Sequence, residues 1–191
     1  MPPKTKFNKE NIVEAAFEIA KEKGFPAITA RSVAKRLGCS VAPIYVNFEK
    51  IEDLIEAVVG RVFAISDDLV AKQEGTDMFE KIGKASLAFA REYPVLFREL
   101  TMQPNPYMAS YDTVENSMIE ALAEDEDMRN WTVEARKRLF FKMRAFQMGL
   151  SVMVANGHVP SWLNDREVEA LLLEVGEELL LVQKIKQKES E

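Results

Sequence analysis

The sequence predicts an all-α protein in two parts, and three features of the chain carry that reading. Beyond residue 28 nearly every apolar segment recurs at helical spacing, and no stretch sustains the alternation, with β-branched and aromatic enrichment, of a strand. Proline and glycine breaks then cut the second part into helix-sized segments. Charge is also divided: residues 1–50 hold nine Lys/Arg against five Glu, a net +4, so the other 141 residues carry −10 of the overall −6. Such a split attracts polyanions at one end of the chain and repels them at the other.

The first helix is expected from Lys9 to Lys23, capped by Asn8, with Ile12, Ala15, Ala16, Ile19 and Ala20 on one buried stripe. Gly24 ends it, and Phe25 and Ile28 fold the following loop onto that stripe. Thr29 is placed to cap a short second helix that turns Val33, Ala34 and Leu37 inward. Gly38-Cys39-Ser40 breaks it after two turns, and Ser40 is expected to cap a third helix starting at Val41. Pro43 fits the first turn of that helix, where a missing N–H costs nothing, and Ile44 and Phe48 form its inner face. A long fourth helix follows from about Glu49 to Ala71, with Ile51, Leu54, Ile55, Val58, Val62 and Ile65 on one side. The domain boundary is expected near Gly60, giving domains 1–60 and 61–191. Further helices are expected at about 77–92, 94–102, 107–124, 132–156 and 165–187. The last carries an apolar stripe too wide for one buried face, so it is either a central core helix or pairs with another subunit.

Several function classes find no support. No apolar run reaches the roughly 18 residues that span a bilayer, which predicts a soluble, cytoplasmic protein with no membrane partner. Cys39 is the single cysteine, so neither an intramolecular disulfide nor a thiolate metal cluster is possible, and it reads as a small apolar plug in its turn. His158 is the only histidine and lies beside a Gly/Pro break with no nucleophile pattern near it. The acidic run 124–127 lacks the glycine and spaced ligands of a calcium loop, and no phosphate-cradling glycine loop is present. The chain is therefore expected to be no enzyme and to need neither metal nor cofactor.

Residues Thr29 to Phe48, TARSVAKRLGCSVAPIYVNF, combine a short helix carrying Ala34, a Gly-x-Ser turn and the aromatic pair Tyr45 and Phe48, ahead of a long helix that begins Glu-Lys-Ile-Glu-Asp-Leu. This pattern resembles the DNA-binding motif of the TetR family of bacterial repressors, and the resemblance extends over about residues 8–62. It implies a three-helix helix-turn-helix domain followed by a larger helical ligand-binding and dimerisation domain. A recognition helix needs small or polar outer residues to enter the major groove and an apolar inner face to fix it. Val41, Ala42, Pro43 and Val46 form the outer set, rich in methyl and ring surface and poor in donors for reading guanine, so much of the specificity is expected from DNA shape and bridging water. Phosphate anchoring is expected from Arg31, Ser32, Ser40, Tyr45, Asn47 and Lys50. Asn47 stands where the family commonly has His or Tyr, and Ile51 where a Lys is common, one residue after Lys50.

Aromatic and thioether side chains are dense from residue 89 to 153. The resemblance implies an effector cavity among these helices, and Phe89, Tyr93, Phe97, Tyr107, Tyr111, Phe140, Met143, Arg144 and Gln147 are the candidate lining. Sparse polar groups favour a largely hydrophobic small-molecule effector. The resemblance further implies a repressor that binds palindromic double-stranded operator DNA and is released by that effector, with the fourth helix coupling the two parts, and the excess apolar surface of the last two helices, roughly 132–156 and 165–187, predicts a homodimer through them. The alternative is a helical small-molecule carrier or protein-interaction module that binds no DNA.

Overall fold

The computed structural model describes residues 7–75, 78–104, 106–108, 111–124 and 128–188. Among the described residues there are nine α-helices and no strand: α1 Lys9–Lys23, α2 Ala30–Leu37, α3 Ala42–Asn47, α4 Ile51–Lys72, α5 Met78–Glu92, α6 Pro94–Thr101, α7 Tyr111–Ala121, α8 Val133–Ala155 and α9 Asp165–Lys188. The chain forms two compact units, residues 1–69 with 93–105 and residues 70–92 with 106–191. Gly60 thus lies inside the first unit, and α6 returns to that unit after α5. No described helix is long and apolar enough to cross a membrane.

In the first unit, the Asn8 side chain accepts the Asn11 N–H at 2.9 Å and starts α1, whose Ile12, Ala15, Ala16, Phe17, Ile19 and Ala20 are buried. Gly24 closes the helix at φ +83°, a backbone conformation that favours glycine, and a Cβ there would require the Glu99 carboxylate on α6, 2.8 Å away, to shift. Thr29 and Ser32 form a reciprocal capping box at the start of α2: Thr29 Oγ1 accepts the Ser32 N–H at 3.0 Å and Ser32 Oγ accepts the Thr29 N–H at 2.9 Å. Gly38 ends α2 in the left-handed region, with the Cys39 N–H bonded to Ala34 O at 3.0 Å.

Ser40 does not cap α3, contrary to expectation. The helix begins at Ala42, with Val41 in the cap position and no side-chain hydrogen bond there, so Ser40 stands one residue too early to reach the first-turn amides. Pro43 occupies the first turn as expected. α4 opens with Asp53 Oδ2 accepting the Lys50 N–H at 3.1 Å, and its Arg61 guanidinium lies 4.6 Å from the centre of the Phe17 ring while pairing with Glu14, which ties α4 to α1. Tyr93 stacks at a tilt on Phe17, ring centres 6.2 Å apart.

The second unit is built on α5, α7, α8 and α9. One buried cluster joins Leu87, Leu150, Val168 and Leu172; another joins Met128, Trp131, Ala135 and Leu139. Gly83 allows α5 and α9 to approach closely, since a Cβ there would lie 3.0 Å from Leu172 Cδ2. Between α5 and α8, the buried Ser151 hydroxyl accepts from Gln147 Nε2 at 3.1 Å, and Gln147 also donates to Ser86. The expected helix 107–124 is shorter: Pro106–Met108 forms a separate 3-10 turn and α7 starts at Tyr111.

Ile44 is 1% exposed, so Ile44→Ala is expected to cost about 3 kcal/mol in urea denaturation. Gly38→Ala should cost about 1 kcal/mol, because the turn holds the residue at positive φ even though a Cβ would meet nothing.

Candidate nucleic-acid interface and interior cavity

α3 presents its inner face to the first unit and leaves its outer face bare. Ile44 and Phe48 are buried, whereas Tyr45 is 56% and Val46 81% exposed; Val41 and Ala42 are exposed beside them, with Pro43 half-buried. Spacing places 41, 42, 45 and 46 on one side of a helix. An apolar face left in water on a short, fixed helix marks a binding surface. Arg31 and Ser40 are exposed near it in sequence, as is Lys50, whose ammonium is only loosely tied to Asp53 at 3.7 Å.

Two expected anchors are engaged elsewhere. Asn47 donates from Nδ2 to Pro43 O at 2.8 Å within α3 and to Phe7 O at 3.4 Å, and the second bond fastens α3 to the residue before the α1 cap. The Ser32 hydroxyl donates to Ala27 O at 2.8 Å and completes the capping box. Arg36, on the adjoining helix face, pairs with Glu22; its guanidinium hydrogen bond holds the Glu22 carboxyl below the ordinary glutamate range. Lys9 covers the Phe48 ring at 5.1 Å, an anchor the sequence did not announce.

The second unit holds a cavity of about 660 Å³, lined by α5, α7, α8, α9 and the segment after α7. Phe79, Met118, Leu122, Met128, Met143, Phe146, Leu172, Leu173 and Leu180 are among its walls, and the charged lining consists of Glu80, Glu124 and Glu177. Phe140 stands edge-on to Phe79, ring centres 5.8 Å apart.

A family model describing bacterial regulatory proteins of the tetR family matches residues 12–58, the stretch from the first buried residue of α1 to the buried Val58 of α4. Over residues 12–58, therefore, the chain is similar to the regulatory proteins of the TetR family. It is 23% identical over 116 residues to the tetracycline repressor protein class D of Escherichia coli, and equally to the class H protein of Photobacterium damsela subsp. piscicida. Each match takes in 59% of this chain, which spans about half (53%) of the length of these curated relatives. Among solved structures, a TetR-like transcriptional regulator from Rhodococcus sp. RHA1 shares the fold at TM-score 0.64 and 16% identity, over 95% of this chain and 96% of that one. The fatty acid degradation regulator FadR from Bacillus halodurans does so at TM-score 0.58 and 15% identity, over 94% and 97%.

The structure gathers Val41, Ala42, Pro43, Tyr45 and Val46 on α3 and its N-cap but disperses the expected effector lining. Of those nine candidates, Met143 alone is among the described cavity walls. Tyr93 and Phe97 belong to the first unit, where Tyr93 packs on Phe17 and Phe97 is buried. Phe89 and Phe140 are buried, Arg144 pairs with Glu115, and Gln147 joins the serine cluster. Tyr107 is half-buried in the 3-10 turn, and the Tyr111 side chain lies outside the described residues. The carboxylates of the acidic run 124–127 likewise lie outside them, apart from Glu124.

Asn47→Ala is expected to lower stability by about 1 kcal/mol in chemical denaturation, since it removes the bonds to Pro43 O and Phe7 O. The far-ultraviolet circular dichroism at 25 °C should stay unchanged.

Proposed function

We propose that this chain is a transcriptional repressor that binds palindromic double-stranded DNA as a homodimer in the cytoplasm and releases it when a small, largely hydrophobic molecule enters the cavity of the second unit. The observation that carries the DNA reading is the outer face of α3, with Tyr45 and Val46 bare on a helix whose inner face is firmly seated. A six-residue helix is short enough to present one side to a major groove, and its methyl groups suit thymine contacts and shape-dependent fit. Lys50, Arg31 and Tyr45 are the proposed phosphate anchors, joined by Ser40. Asn47 and Ser32 take positioning roles, because their side-chain donors hold α3 and α2 in place.

The effector reading is supported by the size of the cavity, within the roughly 300–1,000 Å³ of small-molecule sites, and by walls that are apolar apart from three glutamates. Dimerisation is supported by apolar side chains left outside both the buried clusters and the cavity: Phe141 and Met153 on α8 and Leu181, Val182 and Ile185 on α9 are all exposed. A dimer would space two recognition helices by about 34–36 Å, one turn of DNA.

Fluorescence anisotropy against DNA from upstream of its own gene tests the DNA reading. Tight binding with a steep negative salt slope is expected; Lys50→Ala should reduce the slope by about one, and Tyr45→Ala should weaken binding about tenfold. Weak binding that ignores both salt and these substitutions would instead fit a helical carrier or protein-interaction module. For the assembly, sedimentation at micromolar protein should give twice the 21.7 kDa chain mass, and Leu181→Glu with Ile185→Glu should return it to one.

A further inference from the structure

The charged lining of the cavity is of one sign. Glu80 comes from α5, Glu124 follows α7 and Glu177 comes from α9; no Lys, Arg or His is among the described lining residues. Glu80 is compensated by Lys84 at 2.5 Å, whose ammonium also donates to Glu74 O at 2.9 Å. Glu124 and Glu177 form no ion pair among the described residues and are solvent-exposed, so the largely apolar lining includes two exposed carboxylates with no basic partner. Phe79 and Phe146 add aromatic rings, and Met118, Met128 and Met143 add polarizable, adaptable walls.

We propose that this cavity selects a lipophilic organic cation, its apolar body held among Phe79, Met143, Phe146 and Leu173 and its charge facing Glu124 and Glu177. The inference rests on the reading of the cavity as the effector site and sharpens it from hydrophobic to hydrophobic and cationic. Charge complementarity decides the class. An anionic amphiphile of the same size would gain the same apolar contact and meet two carboxylates with no basic partner, while a neutral one would gain nothing from them.

Tetraphenylphosphonium and tetraphenylborate share shape and differ in sign, so isothermal titration calorimetry of the full chain with each isolates the charge preference. Tetraphenylphosphonium should bind at least about tenfold more tightly than the borate, and Glu124→Gln with Glu177→Gln should remove about tenfold of its affinity without changing the borate in the same direction. Gly176→Leu, at a position where a Cβ would touch only Met143 Cε at 3.5 Å, projects into the chamber and should weaken the phosphonium while the circular dichroism spectrum is kept. Equal or tighter binding of the borate, phosphonium affinity unmoved by the double glutamine variant, or no binding of either probe would overturn the proposal. Operator anisotropy on the same samples separates the two readings. DNA released by the borate alone would sink the cation preference and leave the regulator standing, whereas charge-selective phosphonium binding by a protein without DNA affinity would do the reverse.

Discussion

A helix of six residues cannot sustain itself in water, because nucleation is unfavourable and isolated helices below about 12 residues are marginal. α3 has that length and lacks a side-chain cap, so its existence depends on how it is seated. Ile44 and Phe48 bury its inner face, Lys9 closes over the Phe48 ring, Asn47 fastens its last turn to Pro43 and Phe7, and the left-handed Gly38 turns the chain into it from α2. These contacts are made from the inner side. The outer residues are thereby released from any structural duty, and Val46 can be bare at no cost to folding beyond its own exposure.

Helices with local signals were legible in the sequence. Asn8, Gly24, Thr29 and Pro94 each act within one turn of their own position, and the ends of α1, α5, α6, α8 and α9 fall within a residue or two of expectation. What failed depended on partners far along the chain. Tyr93 and Phe97 read as part of an aromatic-rich second domain, yet Tyr93 finds Phe17 in the first unit, 76 positions away. The same logic separates the two sites. The α3 surface comes from consecutive residues whose inward or outward sense follows from helical spacing, whereas the cavity walls come from four helices and a connecting segment, and aromatic density does not say which side of a helix faces a void. For Asn47 and Ser32, residue type announces a donor, but only the fold shows that the hydrogens go to Pro43 O, Phe7 O and Ala27 O.

The breadth of the apolar stripe on α9 has a physical account in the fold. Val168 and Leu172 enter a buried cluster with Leu87 and Leu150; Leu173, Val175 and Leu180 line the cavity; Leu181, Val182 and Ile185 stay exposed. Packing, enclosing and facing outward are three separate demands on 24 residues, and a helix that meets all three cannot have one narrow apolar face. The stripe is therefore wide because the residues that pack, those that enclose and those that stay exposed are different ones.

Charge distribution places a last constraint on the proposed reading. A surface that attracts phosphate and a chamber that admits a cation need potentials of opposite sign. The chain meets this by sequence segregation, net +4 in its first 50 residues and −10 in the rest, with Arg31 and Lys50 exposed near α3 and Glu124 and Glu177 in the cavity lining. Had one sign served both, the solutes drawn to the cavity would be those drawn to the α3 surface as well. Opposite signs make the two sites answer to different solutes, which is what a sensor coupled to a polyanion requires.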